Sequence, residues 1–286
     1  MNTYQDQRAS VDERVADLLG RMTLDEKVAQ LGAIWLVQLI KGEEFDESAA
    51  EKLLENGIGQ IARIGGSTGL LPEQSASLCN QLQRFVVERT RLGIPLVVHE
   101  EAVGGFAHRG ATTFPHALGL AATWDPALVG EVAAVIREQM LAVGARLALA
   151  PVLDVARDPR WGRVEETYGE SPELCARIGV AYVAGLQTSD LSNGVVCAAK
   201  HFLGYGASIG GRNQAPVHVG PRELREVYAV PFGAAIREAG MAGVMNSYAS
   251  VDGLSTSTIS TGLTTVWPLG SSGSSSSSPQ TTLASG

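Results

Sequence analysis

Five times between Ile58 and Met245, a short apolar run ends in polar or glycine-rich residues and gives way to helical spacing. The runs are Ile58–Ile64, Ile94–Val98, Leu147–Leu153, Val195–Ala199 and Ala242–Met245. They end, in order, in Gly65-Gly66, in His99-Glu100-Glu101, in a charged stretch reaching Pro172, in Lys200-His201-Phe202 and in Asn246-Ser247-Tyr248. Strands alternating with helices predict a parallel α/β architecture, either a barrel or a doubly wound sheet. Gly65-Gly66-Ser67-Thr68-Gly69 lacks dinucleotide-fingerprint spacing and has no acidic partner about 20 residues on, so the barrel is favoured. Five strands do not close eight. The expected fold is therefore α/β, an incomplete (β/α)8 TIM-like barrel of five to six strand–helix units.

The helix boundaries have local causes. Ser10 with Glu13 and Thr23 with Glu26 have capping-box spacing. The first of these helices carries Val11, Val15, Leu18, Leu19 and Met22 as a stripe expected to face the core. Residues Pro72–Arg91 read as a helix. Asp125-Pro126 opens another that Gly144 stops, and Ser171-Pro172 opens one carrying Leu174, Ile178, Tyr182 and Leu186. Pro221–Glu238 reads as mostly helical despite Pro231.

Beyond Asp252 the character changes, because residues 253–286 hold no Asp, Glu, Lys, Arg or His. Positions 271–278 are seven serines and a glycine, a composition that stays unfolded. The expected division is a barrel domain over residues 1–254 and a low-complexity tail over 255–286, either unstructured or read in a shifted frame.

A net charge of −8 argues against a nucleic-acid partner, since no basic stripe neutralises phosphates. No apolar run reaches the roughly 18 residues of a membrane span. Three widely spaced cysteines suggest neither a disulfide framework nor a zinc site, and the first residues hold no signal-like apolar segment. A cytoplasmic protein without metal or cofactor is the expectation; the oligomeric state is not legible.

Chemistry is expected where apolar strands end in charge: at Glu100/Glu101, Arg163, Lys200/His201 and Tyr248, with Arg212 following in a glycine-rich loop. In an α/β barrel the carboxyl ends of the strands are where active sites sit. A sugar presents hydroxyls that both donate and accept, and carboxylates, cations and an aromatic wall suit them. Glu101 is either part of such a site or an exposed loop acid, and Arg163 either grips a ligand or pairs with Glu165 or Glu166. Lys200 is one of only four lysines, and with His201 it reads as site rather than surface. His99, His108, His116 and His218 read as packing or loop histidines, and Trp124 and Trp161 as core or wall.

The segments RDPRWGR (157–163), VEETYGESP (164–172), KHFLGYG (200–206) and GVMNSYASVDG (243–253) together resemble the N-terminal barrel of family 3 glycoside hydrolases, the β-glucosidase and β-xylosidase group. MTLDEKVAQL (22–31) and TFPHALGLAATWDP (113–126) fit the same pattern, and the resemblance runs from about Arg14 to Leu254. It implies a small-carbohydrate ligand, with Glu101 on two hydroxyls, Arg163, Lys200 and His201 donating to neighbouring ones, and Arg212 and Tyr248 lining the pocket. It also implies retaining hydrolysis by two carboxylates. The family's nucleophile is an aspartate some 30–40 residues past the tyrosine matched by Tyr248, and its acid/base glutamate comes from a second domain. Neither is expected in these 286 residues, so no catalytic residue is assigned and the chain is expected to be inactive as it stands.

Overall fold

The computed structural model describes residues 2–257 and the backbone of 282–284. It divides into two compact units, Met1–His99 and Glu100–Gly286.

The first unit opens with α1 (Val11–Arg21) and α2 (Leu24–Gln30). Both capping boxes form: Ser10 accepts the Glu13 amide while the Glu13 carboxylate accepts the Ser10 amide, and Thr23 and Glu26 repeat the exchange. The apolar stripe on α1 does not face a core, which corrects the expectation. Val11 is 70% exposed and Leu31, just past α2, is 81% exposed, while Met22 is the stripe's buried member. Capping and periodicity specify a helix and its apolar side, but among the described residues Val11, Val15 and Leu19 on that side stay exposed.

Next come β1 (Ala33–Trp35), the hairpin β2 (Ile40–Lys41) and β3 (Glu44–Phe45), and α3 (Glu47–Leu53). They are followed by β4 (Gln60–Ala62), α4 (Pro72–Arg89) and β5 (Val97–Glu100). β1 runs parallel to β4 with Ala33 opposite Gln60, and β4 parallel to β5 with Gln60 opposite Val97. The strand β1 was not expected, because three residues are too few to show a period.

The second unit holds α5 (Ala117–Ala121), α6 (Pro126–Ala142), β6 (Leu147–Ala148), α7 (Pro172–Gln187) and β7 (Val196–Phe202). Asp125 and Ser171 accept amides of the first turns of α6 and α7, as their positions predict. The two helices touch backbone to backbone: a Cβ on Gly185 would stand 2.3 Å from the Gly130 carbonyl oxygen. β6 is shorter than the apolar run 147–153 because Pro151 has no N–H to donate. The chain nevertheless stays beside β7, with the Lys200 amide donating to Pro151 and the Leu153 amide to Lys200.

The Pro221–Glu238 segment is helical in three pieces: α8 (Pro221–Glu223), a π turn over Leu224–Tyr228, and α9 (Val230–Ala239). Pro231 falls in the first turn of α9, where its missing N–H is harmless. β8 (Gly243–Asn246) lies parallel to β7, and the hairpin β9 (Ser250–Val251) and β10 (Leu254–Ser255) follows. Most of the expected tail, residues 258–281, lies outside the described residues. The backbone of β11 (Thr282–Ala284) pairs in parallel with β8.

Leu149, Ala198 and Met245 pack together between the strands. Gln187 is a polar fastener here, almost wholly buried at the end of α7. Its Oε1 accepts the amides of Cys197 and Ala242, and its Nε2 donates to the Gly240 carbonyl, so it ties the beginnings of β7 and β8 together. No helix among the described residues is long and apolar enough to cross a membrane.

Candidate functional site

The strand ends of the second unit carry three contacts between a hydrogen-bond donor and a carboxylate. Lys200, in β7, places Nζ 2.7 Å from Oε2 of Glu101, which follows β5 directly. The Lys200 side chain is only 4% exposed, and a buried ammonium needs an acceptor. Glu101 takes one of its three N–H groups; the other two have no partner among the described residues.

His201 is paired with Asp154 rather than with a surface group. One carboxylate oxygen, Oδ2, receives the His201 backbone N–H at 3.0 Å and lies 2.8 Å from ring Nδ1. Both side chains are buried. The second oxygen, Asp154 Oδ1, is buried without a hydrogen-bond partner, and so is Trp161 Nε1. The Lys200–His201 peptide is cis.

Arg163 meets Glu166 in a two-pronged pair, Nε to Oε1 and Nη2 to Oε2, both at 2.6 Å. Burial pulls the guanidinium down, but the Glu166 hydrogen bonds and charge, with Asp154 and Tyr205 nearby, hold it above its ordinary value. Burial likewise pushes Glu166 up, and the hydrogen bonds and charge of Arg163, aided by the charge of Lys200, hold it below the usual carboxylate range.

An aromatic wall backs these charges. The Tyr205 ring stands edge-on to His201 at 5.0 Å and to Trp161 at 5.2 Å. Tyr248 lies 5.7 Å from both His201 and Tyr205, and the Arg163 guanidinium sits 5.8 Å from the Tyr205 ring. Trp161 and Tyr205 belong to a core with Val217, Ala249 and Val251, and the Tyr205 hydroxyl donates to Asn213 Oδ1. The loop after β7 follows this core closely: a Cβ on Gly206 would be 2.5 Å from the Val155 carbonyl oxygen. Gly211, at φ +65°, leaves room for only 2.6 Å between a Cβ and the Trp161 nitrogen.

Of the residues singled out from sequence, Glu101, Lys200, His201 and Arg163 sit in this linked set, and Tyr248 is its half-exposed aromatic edge. Arg163 does pair with Glu166, one of the alternatives the sequence left open. Arg212 is exposed on the loop, and its guanidinium makes no ion pair or hydrogen bond with these residues. Trp161 is core, whereas Trp124 is exposed. Asp154 is the site residue that sequence reasoning missed. A single acid inside the apolar stretch Ala150–Ala156 was its one available signal.

Residues 23–267 match the model of the glycosyl hydrolase family 3 N-terminal domain. A putative β-xylosidase of Formosa agariphila is 33% identical over 260 residues, covering 88% of this chain and 34% of that protein. A periplasmic β-glucosidase/β-xylosidase of Dickeya chrysanthemi is 34% identical, covering 87% and 40% respectively. Among solved structures, a β-glucosidase from Erythrobacter marinus superposes with a TM-score of 0.82 at 37% identity, over 88% of this chain and 34% of that one. A β-glucosidase from Listeria innocua in complex with isofagomine gives a TM-score of 0.72 at 32% identity, over 86% and 33%. The chain thus spans about a third to two fifths of the length of these relatives. Its fold class is α/β, an incomplete TIM-like barrel. With the family's domain matched over most of its length, this chain belongs to glycoside hydrolase family 3.

Proposed function

We propose that this chain holds the terminal sugar of a β-D-glucoside or β-D-xyloside among Glu101, Arg163, Lys200 and His201, with Tyr205 and Tyr248 as an aromatic wall. The observation that carries the reading is the buried Lys200 with two N–H groups unspent beside a Glu101 carboxylate that is 24% exposed. An incoming hydroxyl accepts from the first and donates to the second. Charge-assisted bonds of this kind are about twice as strong as neutral ones. The names of the relatives, β-glucosidase and β-xylosidase, supply the two sugar classes.

Retaining hydrolysis also needs a carboxylate to attack the anomeric carbon and a second to protonate the leaving oxygen. Residues 253–286 contain no acid, which favours binding without turnover in the 286-residue chain. The test is a titration with D-glucono-1,5-lactone, read by the thermal midpoint, beside an assay on 4-nitrophenyl β-D-glucoside and β-D-xyloside. The reading expects lactone to raise the midpoint, Lys200→Met to abolish that rise, and neither aryl glycoside to turn over. Hydrolysis that disappears in Glu101→Gln or Lys200→Met would restore an active glycosidase; no lactone response would remove the sugar site.

A further inference from the structure

Two donors converge on a single oxygen of Asp154, and one of them never loses its proton. The backbone N–H of His201 reaches Oδ2 at 3.0 Å, so that oxygen is committed as an acceptor. The ring nitrogen Nδ1 lies 2.8 Å from the same atom. A carboxylate is acceptor-only, and two acceptors at that separation repel, so Nδ1 carries a proton. Tyr205 and Tyr248 pack against the imidazole at 5.0 and 5.7 Å and oppose a ring flip that would set carbon against the carboxylate. The ring's other polar atom, Nε2, has no hydrogen-bond partner among the described residues.

From this geometry we infer that Asp154 is a positioning residue that holds His201 in its neutral Nδ1–H tautomer, so that Nε2 meets the ligand as a hydrogen-bond acceptor. The inference rests on the sugar reading above and sharpens it. The family resemblance implied His201 as a donor like Lys200; the Asp154 contact gives the two neighbours opposite roles. Lys200 offers N–H groups and His201 a lone pair. Side by side they complement a polyol, whose hydroxyls accept from one and donate to the other. A ligand whose oxygens only accept finds nothing to do at Nε2. The site therefore favours free hydroxyls over alkylated or phosphorylated ones.

The test is a long-range 1H–15N correlation spectrum of the histidine-labelled 286-residue chain near neutral pH, with His201 assigned by its loss in His201→Gln. The expected signature is a protonated Nδ1 and a pyridine-type Nε2. Asp154→Asn keeps an oxygen for the backbone N–H and keeps the tautomer. Asp154→Leu removes the acceptor, shifts His201 toward the Nε2–H form and weakens D-glucono-1,5-lactone binding by about tenfold, the equivalent of one lost hydrogen bond. A proton on Nε2 in the wild-type chain, whether as the other tautomer or as imidazolium, overturns the inference. So does an Asp154→Leu chain with unchanged tautomer and affinity. If Asp154→Leu does not fold, the wild-type spectrum alone still decides. A wild-type chain that shows the expected tautomer but binds no lactone overturns the sugar reading and, with it, the ligand role given to Nε2.

Discussion

Glu166 holds Arg163 by both prongs of its carboxylate at 2.6 Å, across a single 3-10 turn, with each side chain only about one fifth exposed. The pair fixes the guanidinium 5.8 Å from the centroid of the Tyr205 ring. Glu166→Gln preserves shape and removes the charge, leaving a half-buried cation unbalanced. Chemical denaturation of this variant should show a loss of about 1–3 kcal/mol, and lactone affinity should fall with it. Unchanged values for both would show that the pair is ornamental.

The same carboxylate gives the chain an acid-sensitive component. Glu166 is held below its ordinary value of 4.5, so its contribution is complete above that value and disappears as pH falls through its lower folded value. The thermal midpoint should therefore drop on acidification below about pH 4.5, and drop less steeply in Glu166→Gln. Parallel slopes in the two proteins would assign the acid loss to other groups.

Gly206→Ala should be costly for a steric reason. The added methyl meets the Val155 carbonyl oxygen at 2.5 Å, a backbone atom that cannot rotate away. Overpacking of this kind costs about 1–3 kcal/mol, and the displaced loop carries Tyr205 away from His201. A lowered midpoint with weakened lactone binding is expected; an alanine tolerated in both respects would contradict the close approach.

Lys200 and Glu101 should be energetically coupled. In a double-mutant cycle of Lys200→Met and Glu101→Gln, the Glu101 change alone removes the charged acceptor of a buried ammonium, and the pair together costs less than the sum. A coupling of about 1.5–3 kcal/mol is expected for a hydrogen bond between charged groups, with Glu101 only 24% exposed. Strict additivity would mean that the two do not meet in solution.

The apolar face of the first helices should govern solubility more than stability. Leu31→Lys replaces a side chain that is 81% exposed, so the unfolding free energy should stay within about 0.5 kcal/mol while the concentration tolerated before aggregation rises. A large loss of stability would show that this face is covered in solution.

Helix starts were legible because capping is local: Ser10, Thr23, Asp125 and Ser171 each accept an amide within three residues. Strand extents were less so, since Pro151 interrupts pairing inside an apolar run and β1 is too short to show a period. Burial failed on α1, where helical spacing identified an apolar side without identifying a cover. At the site, Lys200 and His201 stood out as polar groups ending an apolar strand. Their carboxylate partners lie 99 and 47 residues away, and only the packed strands bring them together. Asp154 escaped notice because its flanking valines, leucine and alanines resemble ordinary core.

Gln187 has a consequence at the opposite end of the sheet from where it sits. By clasping the first residues of β7 and β8, one amide group sets how far each strand has advanced when it emerges among the charged groups. In a strand the facing direction alternates with every residue, so sliding β7 by a single step would turn Lys200 and His201 each to the opposite face. A side chain remote from both thereby decides which of two neighbours stands beside Glu101 and which beside Asp154.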